Sequence, residues 1–266
     1  MNPRVLKEFG FKHLDRVIDI CAKHGIYTIL DLHTAPGGQN TDWHCDSGSH
    51  IAACGCFPSL LMQPTLTSCP QVWTHKDFQD RALWLWENLA KHYKGNKWIA
   101  GYNPLNEPTD SKHFRVVNFY NRVHDVIRAV DPDHIIFFDG NTFASDFSQF
   151  GDSHKNWVNT AYSIHDYSNF GFPSSPVAYT GTEEQFAKLK RSYQRKRQWM
   201  DERGLCVWNG EWGPVYARKQ YEGELTDSIN AHRYKLLEDQ LKLYDAVCVH
   251  CHPFILLRSH CIDRID

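Results

Sequence analysis

The chain has 266 residues, 42% hydrophobic and 23% charged, with a formal net charge of −2. This is the composition of a globular domain; it argues against a nucleic-acid binder, whose footprint would be basic. No run approaches the ~20 apolar residues of a membrane helix, so neither nucleic acid nor membrane is expected as a partner.

In chain order, residues 2–25 (NPRVLKEFGFKHLDRVIDICAKHG) read as a loop and a helix. Residues 25–33 (GIYTILDLH) form a β-rich run ending in His33. Residues 77–94 place Phe78, Ala82, Leu83, Leu85, Trp86 and Leu89 at helical spacing. The apolar run from Trp98 to Tyr102 predicts a strand that should stop at Asn106-Glu107. A helix over 114–132 is stopped by Asp131-Pro132, and HIIFFDG at 134–140 predicts the next strand. The connection from 140 to 159 reads as irregular. A strand follows over 159–167, then a helix over 183–204 with a Gly stop, a strand over 205–215 and a helix over 229–245. The basic stretch at 188–198 reads as the solvated face of its helix.

Strand and helix alternating at this rhythm predict parallel βαβ units. The fold class is therefore α/β, with five strands legible, and a (β/α)8 TIM barrel would explain what sits at the strand ends. In such a barrel, catalytic groups come from the C-terminal ends of several strands. The strand-end residues here are His33, Asn106-Glu107, Asp139, His165 to Tyr167, and Glu211-Trp212. Of these, Asp139 reads as structural. Two carboxylates facing one cavity can divide the acid and nucleophile roles of retaining glycoside hydrolysis, in which they lie about 5 Å apart. Asn106 is placed to bond a sugar hydroxyl. His165 and Tyr167 alternate on one strand and so can point the same way, with Tyr167 donating to the nucleophile. Trp43, Trp208 and Trp212 are candidate platforms for sugar rings, Trp43 with loop packing as its alternative.

GYNPLNEP resembles the Asn-Glu-Pro motif of the (β/α)8 clan that includes glycoside hydrolase family 5. GIYTILDLHTAPGGQN is similar to that family's third strand and loop, YSIHDY to its His-x-Tyr strand, and VWNGEWGPV to its nucleophile strand. The four motifs occur in the family's order over residues 4 to 245, in the manner of a fungal-type member. The resemblance implies a glycosidase of carbohydrate metabolism acting on a β-glucoside or β-glucan type carbohydrate. It implies Glu107 as acid/base and Glu211 as nucleophile, with His33, Asn106, His165 and Tyr167 as the supporting shell. It implies no metal and no cofactor; a monomer is expected.

The chain departs from the family pattern in three places. The first two strands have no match, and with them goes the arginine that ends the second; Arg4 does not replace it. Residues 1–245 are therefore expected to form a partial catalytic barrel and 246–266 an atypical tail in place of the last strand. The tail, with Cys248-x-x-Cys251, reads as an intron or frame-shifted extension, and zinc binding by its Cys and His residues is the lesser alternative. The Cys- and Pro-rich segment 54–72 reads as a retained intron or as a lid over the cleft; spliced transcripts joining codons near Ala53 and Trp73 would support the former. A barrel short of strands is expected to be poorly stable, and a vestigial, sugar-binding barrel is the alternative function. The nine cysteines, an odd number, read as reduced thiols. With no apolar signal core in MNPRVLKEFG and no Asn-x-Ser/Thr sequon, a cytoplasmic location is expected, unless the N-terminus is incomplete.

Overall fold

The structure, a computed structural model, describes residues 4–42, 45, 70–172, 175 and 177–248. Trp43, residues 54–69 and residues 249–266 lie outside the described residues. The chain divides into two compact units, Met1–Tyr162 and Ser163–Asp266.

In the first unit, helix α1 (Glu8–Lys23) leads into strand β1 (Thr28–Asp31). Helix α2 (Lys76–Tyr93), strand β2 (Ile99–Asn103), helix α3 (Phe114–Arg128) and strand β3 (Ile135–Asp139) follow. β1 pairs parallel with β2, and β2 parallel with β3. The predicted strand over 25–33 is shorter in fact, because α1 ends in a Schellman motif. Gly25 takes φ +68, its N–H bonds the Ala22 carbonyl, and the Ile26 N–H reaches back to Cys21. Similarly, α3 ends before Asp131-Pro132, because Asp131 turns its side chain back onto the N–H groups of Asp133 and His134.

The connection after β3 is irregular, as expected. A short 3-10 turn (Ser153–Asn156) stands where a barrel helix would be, and aromatic packing supplies the cover. Tyr120 stacks on Phe138 at 4.3 Å, Phe138 meets Trp157 at 4.7 Å, and Phe147 meets Phe150 at 4.8 Å. Residues 71–73, the first two of which fall inside the Cys- and Pro-rich segment, form another 3-10 turn. It is built into the unit: the Gln71 N–H donates to Gly37, and the indole of buried Trp73 donates to the Gln39 carbonyl.

Strand β4 (Thr160–Tyr167) starts in the first unit and runs into the second. There it is followed by helix α4 (Glu183–Asp201), strand β5 (Val207–Gly213), which lies beside β4, and helix α5 (Thr226–Cys248). A capping box starts α4: Gln185 N–H donates to the Thr182 hydroxyl, and the Gln185 side chain accepts from the Thr182 N–H. The basic stretch on α4 is only partly a solvated face. Lys196 and Arg197 are buried, Lys196 bonding Asp166 at 2.7 Å and Arg197 pairing with Asp201 at 2.7 Å. The periodicity places them on the inner side of the helix, where buried charge needs a partner. Among the described residues, no helix is long and apolar enough to cross a membrane.

Candidate active site

Each unit carries one of the two glutamates. In the first, β1 ends at Asp31 and His33 follows in the loop. His33 Nδ1 lies 2.9 Å from Asp31 Oδ2, and the imidazole is half exposed. The loop is folded around Gln39, which is fully buried. Its amide donates to the His33 carbonyl at 2.8 Å and its oxygen accepts from the Ala35 N–H at 3.0 Å. The next residue, Asn40, donates from Nδ2 to the carbonyl of Glu107 at 2.9 Å.

Glu107 does not sit on the end of the strand, as its motif suggested. β2 stops at Asn103, and Pro104 to Glu107 form an irregular segment beyond it. The Asn106 N–H donates to the Leu32 carbonyl at 3.2 Å, which ties this segment to the loop after β1. Asn106 is 2% exposed, and its Nδ2 has no partner among the described residues. Leaving a buried donor unpaired costs about 1–3 kcal/mol. Glu107 has φ +46, the left-handed region that β-carbon-bearing residues avoid at a cost of about 1–2 kcal/mol. It is held there from both sides. Its N–H donates to Asp139 Oδ2 at 2.9 Å, while Asn40 holds its carbonyl.

In the second unit, β4 directs Ser163, His165 and Tyr167 to one face and Asp166 to the other. The Tyr167 hydroxyl donates to Glu211 Oε2 at 3.0 Å, and His165 Nδ1 lies 3.7 Å from the same oxygen. Close packing of β5 on β4 needs Gly210: a β-carbon there would lie 2.9 Å from Ser163 Oγ and 3.3 Å from His165 Nε2. Trp212 is partly exposed and meets Tyr244 edge-on at 5.3 Å. Behind the strand, Asp166 is held by Lys196 Nζ at 2.7 Å and by the Tyr244 hydroxyl at 2.8 Å. Burial and the Asp166 carboxylate raise Tyr244 far above the usual tyrosine range, so its proton stays in that bond. Lys196 also donates to the His165 carbonyl at 2.9 Å.

The structure thus gathers His165 and Tyr167 around the Glu211 carboxylate. Trp212, the next residue on β5, turns to the other face and packs on Tyr244, so it is not brought to that carboxylate. It gathers His33, Asn106 and Glu107 on the adjoining loops of the first unit. Asn40, Asp139 and Lys196 were not foreseen as site residues. Asn40 lies in the quoted DLHTAPGGQN and Asp139 at a strand end, but neither residue type announces a bond to another residue's backbone.

Comparison with known proteins bears on the class. A hyperthermophilic endo-beta-1,4-glucanase, solved with substrate, superposes with a TM-score of 0.63 at 15% identity, over 92% of this chain and 69% of its own. The endoglucanase Cel5A of Thermotoga maritima superposes with a TM-score of 0.61 at 16% identity, over 91% of this chain and 68% of its own. The cellulase model, glycosyl hydrolase family 5, matches residues 2–239. A beta-xylosidase of Phanerodontia chrysosporium is 64% identical over 245 residues, 92% of this chain and 48% of that protein. Cellodextrinase A of Ruminococcus flavefaciens is 22% identical over 226 residues, 78% of this chain and 59% of its own. The chain spans about half the length of these two relatives.

The fold is that of an incomplete (β/α)8 barrel, and the class is glycoside hydrolase. Within that class, the chain belongs to the cellulase family, glycosyl hydrolase family 5.

Proposed function

We propose that this chain hydrolyses β-glycosidic bonds with retention, in a β-glucoside or β-glucan type substrate. The observation that carries the reading is the bond from Tyr167 to Glu211 Oε2 at 3.0 Å. A donor fixed on one carboxylate oxygen orients the group and leaves Oε1 to attack. Glu211 attacks the anomeric carbon as the glycosidic C–O bond breaks, and the Glu107 carboxyl delivers its proton to the departing oxygen. The resulting glycosyl ester is cleaved when Glu107, now a carboxylate, takes a proton from water and the water attacks the same carbon. Asn106 contributes its unpartnered amide to a sugar hydroxyl. The names of the relatives support a substrate of gluco or xylo configuration.

The test is release of nitrophenol from aryl β-glucosides, β-xylosides and β-cellobiosides by the parent chain, with Glu211→Gln beside it. Release by the parent alone is expected, the variant falling by at least about 10³-fold. A 2-deoxy-2-fluoro glycoside with a good leaving group should add one sugar mass to the peptide holding Glu211. A label on another carboxylate would overturn the assignment, and sugar binding without release would indicate a vestigial barrel.

A further inference from the structure

We infer that Asp139 is a positioning residue for the acid/base, and that with Asn40 it clamps the Glu107 backbone in the conformation that aims the carboxyl. The inference rests on the reading of Glu107 as the proton donor. A glutamate at φ +46 stands in a minor backbone well, and rotation to either common well would swing its side chain away. Something must hold it there, and two side chains do. Asp139 Oδ2 takes the Glu107 N–H at 2.9 Å, and Asn40 Nδ2 gives to the Glu107 carbonyl at 2.9 Å.

Both clamps are themselves fixed. Asp139 is fully buried, its Oδ1 accepts from Asn103 Nδ2 at 2.7 Å, and its carbonyl accepts from the Tyr120 hydroxyl at 2.9 Å. The last residues of β2 and β3 and the α3 helix therefore meet at this one residue. The Asn40 amide is oriented by its oxygen, which accepts from the Asp42 N–H at 2.9 Å and from the Cys45 thiol at 2.7 Å. That leaves Nδ2 as the end facing Glu107. The chemistry at 139 calls for a carboxylate and not an amide. Two donors, the Glu107 N–H and Asn103 Nδ2, converge on two acceptor oxygens, and an asparagine would turn a donor toward one of them. Asp139→Asn keeps the volume and breaks one arm of the clamp.

The dependence of rate on the leaving group separates aiming from folding. A good leaving group such as dinitrophenolate needs no proton, whereas phenolate does. Asp139→Asn, Asn40→Ala and Glu107→Gln are assayed on aryl β-glucosides spanning that range. For Asp139→Asn a loss of about 10- to 100-fold on phenyl glucoside is expected, with less than about 3-fold on the dinitrophenyl compound. Glu107→Gln should show the same trend more steeply. An equal loss on every substrate by Asp139→Asn, beside a graded loss by Glu107→Gln, overturns the inference. A flat response in Glu107→Gln overturns the acid assignment instead. Hydrogen exchange at the Glu107 amide gives a second readout that needs no turnover. Protection in the parent that falls at least about 10-fold in Asp139→Ala is expected, and an amide exchanging in the parent as in a free peptide overturns the clamp.

Discussion

Glu211 and Glu107 are controlled by different means. Glu211 is held through its side chain, by the Tyr167 hydroxyl, whereas Glu107 is held through its peptide groups. A hydrogen bond to an ionised carboxylate is worth about 1.5–3 kcal/mol. Tyr167→Phe is therefore expected to lower kcat by about 10- to 100-fold, with a loss of folding stability no larger than the energy of that one bond. Parallel turnover and urea titrations of the purified variant check this, and unaltered turnover would remove Tyr167 from the mechanism. Much at this scale was legible in the sequence. His165 and Tyr167 share a face by strand periodicity, and Glu211 ends an apolar run. The backbone at Glu107 was not legible, since a left-handed residue is usually announced by Gly or Asn. The partners of that backbone were hidden for the same reason. Asp139 and Asn40 reach it only because the chain path brings β1, β2 and β3 to one end.

The strands and long helices follow from their periodicity, and the differences lie at their ends, where single side chains decide. Asp131 shows this best, because it stops α3 and locks it to β2. Its carboxylate takes the Tyr102 hydroxyl at 2.7 Å and the His134 imidazole at 2.5 Å, besides two backbone N–H groups. Burial alone would raise this carboxyl, but the bonds from Tyr102 and His134 hold it below the usual aspartate range. A depressed folded value means that the unfolded chain takes up the proton first as acid is added. The stabilisation is thus complete above about pH 4, the ordinary aspartate value, and is lost as pH falls through the lower folded value. Urea midpoints of the parent should drop between pH 5 and pH 2, and the drop should be smaller in Asp131→Asn. Equal slopes for the two would show that the acid sensitivity lies elsewhere. The buried Lys196 and Arg197 carry a similar lesson. Their stretch looks solvated by composition, but the helical face it occupies decides which charges are covered.

At the scale of the whole molecule, α1 presents Phe9, Val17 and Ile20 outward, all exposed among the described residues. Beside it lies an apolar cavity of about 360 Å³ lined by Leu14, Val17, Ile18, Leu30, Leu85 and Trp86, among others. A patch of this kind binds hydrophobic dyes and other copies of itself. Replacing Val17 and Ile20 with Lys should lower dye fluorescence and aggregation, with a change in stability within about 0.5 kcal/mol. Dye binding equal to that of the parent would show that this face is covered in solution. The sequence made the barrel class legible through four motifs in order, and the unmatched first strands pointed to exposed sheet edges; which side chains would be bared was not legible, since that depends on what packs on each strand. The left-handed glutamate has a consequence for the molecule as a whole. Selection for stability alone would put glycine at 107, relieving the backbone and giving up the carboxyl. Glu107→Gly should therefore raise the folding stability, by up to about 1 kcal/mol, in a protein that no longer turns over substrates with poor leaving groups. Stability screening that ignored turnover would select against this residue, so thermostable descendants of this chain need an activity filter at position 107.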